Sequence, residues 1–387
     1  MRKLFWLGAS LCLTACLEPQ IAPDLSERPS SDFNVEFISK DLNGPWSVAE
    51  LPNGNWLVTE KGGKLLRLSN SGKTVIAGLP KDVFVAGQGG LLDVVLAPDF
   101  ETTQQIYLSY AYGDEDTNGT AILSAKLDGT QLIEPLVIFR ASPPKSATSH
   151  YGGRMAFLPD GTLILTLGDG FAFREDAQKA NTHLGKLIRI TGDGGTPDDN
   201  PFLGQNKDGR AFKPQIYSLG HRNVQGLAID PVTGEIWAHE HGPRGGDELN
   251  LIKPGQNYGW PLATTGTDYN GARISPFESF EGTAPPIYDW VPSIAPSGLA
   301  IYRGDLFSDW QGDALIGGLA SRDLRRVDIE DGKAVDEEDL LSDLKGRIRD
   351  VRVDRAGAIL ILMEDADLDG DGEIDPKSGL LLRLTPK

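Results

Sequence analysis

The stretch Met155-Ala-Phe-Leu-Pro-Asp-Gly-Thr-Leu-Ile-Leu-Thr166 decides the fold, because apolar residues alternate on both sides of a Pro-Asp-Gly turn. Successive side chains of a β-strand point to opposite faces, so two such runs joined by a tight turn predict a β-hairpin with one buried face. The same pattern recurs along the chain. The other copies lie at residues 46–59, 92–110, 227–238, 299–318 and 351–362.

These six hairpins begin about 46 to 72 residues apart, which suits four-stranded units with loops of varying length. One hairpin cannot bury its own face, whereas several arranged in a ring bury their faces against one another. We therefore predict an all-β fold, a six-bladed β-propeller of four-stranded antiparallel blades over residues 34–387. A β-sandwich is the structural alternative, but it would not require six copies of one pattern.

The composition agrees with a protein that is rich in turns. The 46 Gly and 25 Pro make up about 18% of the chain, above the usual ~12%, which argues against long helices. The 37 basic and 55 acidic residues give a net charge of −18. A polyanion would meet repulsion over most of such a surface. We therefore exclude nucleic acid as a partner and expect neutral small-molecule substrates and bound cations.

The start of the chain has the features of an export signal. Arg2 and Lys3 precede an apolar run that is too short to span a ~30 Å hydrocarbon layer. The run ends in Leu13-Thr-Ala-Cys16, which resembles a bacterial lipobox. We predict a lipoprotein signal peptide at 1–15, lipidation of Cys16 and a flexible tether over 16–33. An ordinary secretory signal with an incidental Cys is the alternative.

Cleavage before Cys16 would remove Cys12, the other cysteine of the chain, so we expect no intrachain disulfide. The mature protein is expected on the periplasmic side of a bacterial membrane and attached to it only through the lipid. Leu17 follows the lipidated Cys in place of the Asp that retains lipoproteins at the inner membrane. This favours the outer membrane. The oligomeric state does not follow from the sequence.

Four of the five histidines lie just before or after a repeated hairpin, where the loops between blades meet and propellers carry function. His150 precedes the third copy, His221 precedes the fourth, and His239 and His241 follow the fourth. A structural role in a turn is the alternative for each of them. Imidazole is a zinc ligand, so the i, i+2 spacing of His239 and His241 also suggests zinc, but no Cys or third His stands nearby.

Six short motifs stand at the ends of the predicted blades. They are Gly87-Gln-Gly-Gly-Leu-Leu92, His150-Tyr-Gly-Gly-Arg154, Gly220-His-Arg-Asn-Val-Gln-Gly226, His241-Gly-Pro-Arg-Gly-Gly-Asp-Glu248, Asn257-Tyr-Gly-Trp260 and Gly346-Arg-Ile-Arg-Asp350. In this order they resemble the soluble, calcium-assisted quinoprotein sugar dehydrogenases, most closely the aldose sugar dehydrogenase branch. The resemblance covers about Asn34 to Lys387 and implies a six-bladed propeller. It also implies oxidation of aldoses to lactones with pyrroloquinoline quinone (PQQ) as cofactor and a quinone or similar electron acceptor.

By this resemblance His150 is the general base that takes the proton of the anomeric hydroxyl, a role that suits a group titrating near neutrality. Arg222, Arg347 and Arg349 match the positions that surround the carboxylates of the cofactor, and Arg222 is expected to act in catalysis with His150. In an extended segment Arg347 and Arg349 point the same way, although a solvated charged edge has the same spacing. The neutral polar contacts that the resemblance implies are Gln88 to substrate or cofactor and Asn223 to the cofactor.

The resemblance also implies two calcium sites. In similar enzymes the two carbonyls of a Gly-Pro step, here Gly242 and Pro243, hold a Ca²⁺ beside the quinone, where the ion acts as a Lewis acid. A second, structural Ca²⁺ would lie near Glu248 and Tyr258.

A separate calcium signal stands near the C-terminus. The segment Asp367-Leu-Asp-Gly-Asp-Gly-Glu-Ile-Asp375 follows the first part of an EF-hand loop, but Ser378 replaces the bidentate Glu at position 12. The pattern predicts a weak structural Ca²⁺ site, and an acidic solvated loop is the alternative. Its ligands would be Asp367, Asp369, Asp371, Glu373 and Asp375.

Two positions depart from the resemblance. Glucose-active relatives carry an acidic residue in place of Ser149 and a cofactor-contacting Lys in place of Ala320. The first departure leaves the sugar preference open, and the second bears on cofactor affinity more than on reaction type. The alternative functions are a calcium-dependent six-bladed lactonase and a propeller binding module without catalysis. A lactonase would not need three arginines around a polyanion, and Ala320 is the best support for a binding module.

Overall fold

The structure, a computed structural model, describes residues 33–342, 345–365 and 378–387. Within these ranges it contains six four-stranded antiparallel sheets arranged as the blades of a propeller. The six predicted hairpins form the two innermost strands of the six blades, which confirms the predicted fold. The predicted signal peptide, Cys16 and the acidic segment 367–375 lie outside the described residues.

The strands are numbered in chain order from β1 (Phe33–Leu42), which belongs to the last blade. The first blade consists of β2 (Pro45–Glu50), β3 (Trp56–Glu60), β4 (Lys64–Ser69) and β5 (Gly72–Ile76). The second consists of β6 (Leu91–Leu96), β7 (Gln105–Gly113), β8 (Asn118–Asp128) and β9 (Gln131–Arg140). The third consists of β10 (Met155–Phe157), β11 (Leu163–Thr166), β12 (Lys186–Ile190) and β15 (Ile216–Leu219), with a small hairpin of β13 (Asn206–Lys207) and β14 (Arg210–Ala211) inserted before β15.

The fourth blade consists of β16 (Val224–Ile229), β17 (Ile236–Glu240), β18 (Asp247–Ile252) and β19 (Tyr288–Trp290). The fifth consists of β20 (Pro296–Ile301), β21 (Ala314–Gly318), β22 (Leu324–Glu330) and β23 (Lys333–Leu340). The sixth consists of β24 (Arg347–Val353), β25 (Ile359–Asp365), β26 (Gly379–Pro386) and β1. The helices are α1 (Phe100–Thr103) and the 3₁₀ turns Arg174–Gln178 and Ser308–Trp310. None of the helices in the described part of the chain has the length and apolarity needed to cross a membrane.

The sixth blade joins the two ends of the described chain. Strand β1 pairs antiparallel with β26, from Phe33 opposite Pro386 to Leu42 opposite Gly379. Phe33 is buried, and its ring packs against the rings of Phe307 and Trp310 in the fifth blade. Hydrogen bonds between β1 and β26 therefore close the ring.

Hydrophobic clusters fill the spaces between neighbouring blades. Between the first and second blades, for example, Leu57 and Leu65 pack with Leu108 and Leu123. Burial of each such Leu side chain contributes roughly 1.5–3 kcal/mol. The innermost strands contact one another in sequence around the axis. Because each hairpin is antiparallel, the start of its first strand lies beside the end of its second strand, and both reach the same end of the channel.

Arg154 lies on the axis and is almost completely buried. Its Nη1 is 2.9 Å from the carboxylate of Asp350, its Nη2 donates to the carbonyl of Arg349, and its Nε donates to the carbonyl of Gln225. The guanidinium also covers the ring of Trp46 at 4.1 Å. This one side chain connects the first, third, fourth and sixth blades, and it fixes the backbone beneath the cavity described next.

Candidate active site

A cavity of about 190 Å³ lies at the end of the channel where the innermost strands begin, and residues of all six blades line it. We call it the central cavity. Its charged lining residues are Lys61, Arg347, Arg349 and Glu364. A second depression, the outer groove, contains Gly242, Pro243 and Ala320 and shares His241 and Ala295 with the cavity. A third, the aromatic groove, adjoins the outer groove through Pro243 and Tyr269 and also contains Phe171, Arg174, Arg222, Trp260 and Asp268.

His150 stands in the turn before β10 and is buried. Its backbone has a positive φ of 54°, a left-handed conformation that costs energy for a residue with a side chain and is common at functional sites. The backbone N–H of His150 donates to Oε1 of Gln88 at 2.8 Å. Gln88, predicted to contact substrate or cofactor, thus also holds the turn that carries the predicted base.

The imidazole of His150 is oriented by Asp169. The Nδ1 atom of His150 lies 2.7 Å from Oδ1 of Asp169, and the same oxygen accepts the backbone N–H of Phe171. The other carboxylate oxygen accepts the indole N–H of Trp260 at 2.8 Å. Because a carboxylate accepts hydrogen bonds, Nδ1 carries the proton and Nε2 keeps a free lone pair. No side chain or backbone group among residues 33–342, 345–365 and 378–387 bonds to that Nε2.

Burial lowers the pKa of His150, and this effect exceeds the opposing attraction of Asp169. The positive charges of Arg222 and Lys145 lower the pKa of His150 further. Lys145 is itself buried beside the ring of Tyr151, and its burial lowers its pKa to about 7. The imidazole of His150 is therefore neutral at pH 7, the state that a general base requires.

Arg347 and Arg349 both reach Glu364 inside the central cavity. The Nε of Arg347 lies 3.2 Å from Oε2 of Glu364, and Nη2 of Arg349 lies 3.1 Å from the same oxygen. The two arginines thus point the same way, and Arg349 is buried instead of lying on a solvated edge. Arg349 Nε is buried without a hydrogen-bond partner in the described part of the chain.

Arg222 lies outside the central cavity, in the aromatic groove. Its Nη1 donates to the carbonyl of His241 at 2.9 Å and to the carbonyl of Gly242 at 2.6 Å, and its guanidinium lies 5.4 Å from the centre of the Trp260 ring. Arg347 and Arg349 therefore line the central cavity, whereas Arg222 lines the aromatic groove. Asn223 does line the central cavity, where its Oδ1 accepts the backbone N–H of Gly152 and the side-chain amide of Gln225.

The Gly242-Pro243 step offers oxygen ligands of the kind that Ca²⁺ prefers. The carbonyl of Gly242 already faces a positive group, the guanidinium of Arg222. A Cβ at Gly242 would lie 2.3 Å from the carbonyl oxygens of Gly245 and Gly246, so only glycine fits this turn. The carbonyl of Pro243 accepts no hydrogen bond from the residues that the structure describes. The residues present are compatible with a cation at this step.

Glu248 and Tyr258, predicted near a second Ca²⁺, lie in and after β18. Glu248 stands opposite Glu240 across the sheet, and burial together with the charge of Glu240 raises the pKa of Glu248 well above its usual value. The Tyr258 hydroxyl donates to the carbonyl of Leu251, and its ring stacks on His221 at 4.8 Å. A cation beside Glu248 would relieve the repulsion between the two carboxylates.

The zinc alternative for His239 and His241 finds no support. The Nε2 of His239 donates to the carbonyl of Gly298 at 3.1 Å, and the Nε2 of His241 donates to the carbonyl of Pro296 at 2.8 Å. Within the described ranges no group of three or more His, Cys, Asp or Glu side chains is arranged to hold a metal ion. Both rings connect the fourth blade to the fifth.

Asp169, Lys61, Glu364 and the indole of Trp260 are site residues that we did not predict. Lys61 follows β3, Asp169 follows β11, and Glu364 lies at the end of β25. All three therefore stand at the end of the second strand of a repeated hairpin, next to the start of the first strand. A search of every hairpin end for charged residues would have found them.

The fold and the site together define a propeller enzyme in which a buried histidine–aspartate pair lies beside a cationic cavity. The chain belongs to the glucose/sorbosone dehydrogenase family, whose profile matches residues 42–374. It is 38% identical to the aldose sugar dehydrogenase YliI of Escherichia coli (strain K12), covering 100% of this chain and 99% of that protein.

Solved structures agree with this assignment. A glucose dehydrogenase crystal structure has 41% identity and a TM-score of 0.84, covering 90% of this chain and 99% of that one. A PQQ-bound aldose sugar dehydrogenase from Streptomyces coelicolor has 30% identity and a TM-score of 0.73, covering 93% of this chain and 99% of that one.

Proposed function

We propose that the protein is a PQQ- and calcium-dependent aldose sugar dehydrogenase that oxidises the anomeric carbon of aldoses to lactones. The observation that carries this proposal is the neutral, Asp169-oriented imidazole of His150, with Nε2 free, next to the central cavity. Two relatives support the substrate class and the cofactor: one is an aldose sugar dehydrogenase, and the other is an aldose sugar dehydrogenase in a PQQ-bound form.

The charge of the central cavity suits a polycarboxylate. The whole chain carries a net charge of −18, yet this cavity collects Lys61, Arg347 and Arg349 against the single carboxylate of Glu364. Charge-assisted hydrogen bonds from such groups would hold the carboxylates of PQQ. A neutral lactone would gain nothing from this concentration of cations, which disfavours the lactonase alternative.

In the proposed reaction the anomeric hydroxyl of the sugar donates to Nε2 of His150, which takes its proton. Asp169 stabilises the imidazolium that forms, while the indole N–H of Trp260 holds the carboxylate in its orientation. When bound, PQQ would accept the hydride of the anomeric carbon, and a Ca²⁺ held by Gly242 and Pro243 would polarise the accepting quinone. Loss of the hydroxyl proton and of the hydride leaves a carbonyl, so the product is the lactone.

The aromatic groove would bind the sugar. Phe171 is 52% exposed, and its ring meets the edge of the His150 ring at 5.2 Å. Tyr269, which is 58% exposed, stacks beside Phe171. These two rings form an apolar surface next to His150. Arg174 and Asp268, 3.5 Å apart, lie in the same groove and could form hydrogen bonds with the hydroxyl groups of a sugar.

Reconstitution tests the proposal. PQQ and Ca²⁺ are added to the purified apo-protein, followed by a panel of aldoses and a reducible dye. We expect dye reduction that depends on PQQ and is lost in EDTA. Retained cofactor absorbance without turnover of any sugar would instead favour the binding module, and lactone hydrolysis without PQQ would favour the lactonase.

The remaining parts of the proposal concern calcium and location. A second Ca²⁺ near Glu248 and Tyr258 and a third in the loop from Asp367 to Asp375 would raise the calcium stoichiometry above one. Titration calorimetry on a Glu248→Gln variant and on an Asp369→Ala variant tests each site separately. Mass spectrometry of protein extracted from membranes tests lipidation at Cys16, and fractionation of the two membranes tests the location.

A further inference from the structure

Among the residues that the structure describes, the one carboxylate that lines the central cavity is shared by two arginines. Glu364 is bonded through one oxygen to both Arg347 and Arg349. Its burial favours a raised pKa, but the charges of Arg349, Arg347 and Lys61 outweigh the burial and lower the pKa of Glu364 to about 2. Glu364 is therefore ionised at any working pH and neutralises one of the two guanidinium charges.

Lys61 is the third cation of the cavity and has no carboxylate partner. Its Nζ makes one long contact, 3.4 Å to the carbonyl of Gly87, and no acidic group in the described ranges lies within ion-pair distance. Its charge acts on Glu364 across the cavity. An ammonium that is partly buried without a counter-ion is poised to pair with an anionic ligand.

The backbone of Lys61 is held firmly in place. Its N–H donates to the carbonyl of Gly44 at 2.9 Å, and its carbonyl accepts the N–H of Leu91 at 3.2 Å. A Cβ on Gly90 would lie 2.0 Å from this carbonyl, so Gly90 lets the second blade approach Lys61 closely. The turn that carries Lys61 is thus built against the Gly87–Leu92 motif.

We propose that Lys61 binds a carboxylate of PQQ in place of the lysine that is absent at Ala320, and that Glu364 is a resident counter-ion that limits the affinity for PQQ. This inference rests on the proposed function. The charged residues that line the cavity in the described part of the chain are three cations and one carboxylate, which sum to a charge of plus two. Removal of the Lys61 charge lowers that value by one, and removal of the Glu364 charge raises it by one, so the two variants move PQQ affinity in opposite directions.

Equilibrium titration of the apo-protein with PQQ at fixed Ca²⁺, followed by quenching of tryptophan fluorescence, tests this inference without turnover. We expect Lys61→Gln to weaken PQQ binding about tenfold or more, Lys61→Arg to restore most of it, and Glu364→Gln to strengthen it about tenfold. Lys64→Gln is the matched control, because Lys64 is an exposed lysine three residues further on, at the start of β4, and this change leaves binding unchanged.

Turnover at increasing PQQ concentration gives a second readout. Lys61→Gln should need about tenfold more PQQ than the unmodified protein to reach half of its own maximal rate, whereas Lys64→Gln should need the same concentration as the unmodified protein. Equal PQQ affinity of Lys61→Gln and the unmodified protein would overturn the assignment of Lys61, and weaker binding by a folded Glu364→Gln variant would overturn that of Glu364. Failure of the unmodified protein to bind PQQ would overturn the proposed function itself, a different result from either of these.

Discussion

Replacement of Asp169 by Asn tests how the base is oriented. The change keeps the size of the side chain but removes the charge that pairs with Nδ1 of His150 at 2.7 Å. A charge-assisted hydrogen bond contributes about 1.5–3 kcal/mol, so its loss alone lowers the rate roughly 10- to 100-fold. The Asn amide can also donate to Nδ1, which moves the imidazole proton to Nε2 and removes the lone pair that the substrate hydroxyl needs. The analogous change in a Ser-His-Asp triad lowers kcat by about 10⁴.

We therefore expect Asp169→Asn to lower kcat by about 10³–10⁴ at saturating PQQ, Ca²⁺ and sugar, as measured by dye reduction. Its affinity for PQQ should stay within a few-fold of the unmodified protein, because Asp169 does not line the central cavity. Trp260→Phe is the graded control. It removes one of the hydrogen bonds to Asp169 and should lower kcat about tenfold. An Asp169→Asn enzyme that retains more than about a tenth of the activity would refute this role of the carboxylate.

Three other predictions concern Phe171 in the aromatic groove, the buried Arg154, and the buried rings of His183 and His239. Phe171→Ala should raise KM for aldoses several-fold with a smaller effect on PQQ affinity, and an unchanged KM would exclude the aromatic groove as the sugar site. Arg154→Met removes one of the two arginines that pair with the buried Asp350, the other being Arg352, and leaves the carbonyls of Gln225 and Arg349 without this donor. It should lower the free energy of unfolding by about 1.5–3 kcal/mol in urea. The control Arg355→Ala removes an exposed arginine and should lower the free energy of unfolding by less than about 1 kcal/mol. Equal losses in the two variants would contradict the stabilising role of the Arg154 contacts. Burial lowers the pKa of His183 and of His239 to about 4. Both rings stay neutral in the folded protein and gain a proton on unfolding below pH ~6.5, so stability should fall as pH drops from 6.5 to 4, by on the order of 3 kcal/mol for each ring. Constant stability over that range would contradict the assignment.

The inner half of each blade could be predicted from the sequence because its strands are apolar on alternate positions around a recognisable turn. The outer strands gave no such pattern. Strand β5 is exposed at four of its five positions, and β23 is mostly exposed and carries a run of acidic residues. The pairing of β1 with β26 depends on the closure of the whole ring, which no local pattern encodes.

The site was predictable where a motif marks it and only partly so elsewhere. Gln88, Arg347 and Arg349 line the central cavity because each stands at or before the start of an innermost strand. His150 precedes such a strand too; it does not line the cavity, but its backbone N–H donates to Gln88. Asp169 and Glu364 lie at the ends of second strands, in positions that a residue-type pattern does not distinguish from ordinary surface acids. Asp169 and Glu364 lie near the residues that precede the first strands because each hairpin is antiparallel. Which of the second strands carry a charged residue into the site is visible only in the three-dimensional fold.

The separation of Arg222 from Arg347 and Arg349 could not be predicted from the local sequence either. Arg222 and Asn223 are adjacent in sequence, yet Asn223 lines the central cavity and Arg222 lines the aromatic groove. Arg222 donates hydrogen bonds to the carbonyls of His241 and Gly242, which follow the neighbouring strand β17, and these bonds hold its side chain in the aromatic groove. The structure thus assigns Arg222 to the Gly242-Pro243 step and not to the Arg347–Arg349 pair.

The most direct test of the account compares two properties of one variant, His150→Ala. The account predicts that it binds PQQ with nearly the affinity of the unmodified protein, while its kcat for aldose oxidation falls by about 10²–10⁴. A His150→Ala enzyme that binds PQQ and oxidises sugar at the unmodified rate would show that the proton leaves by another route, and the central claim would be wrong.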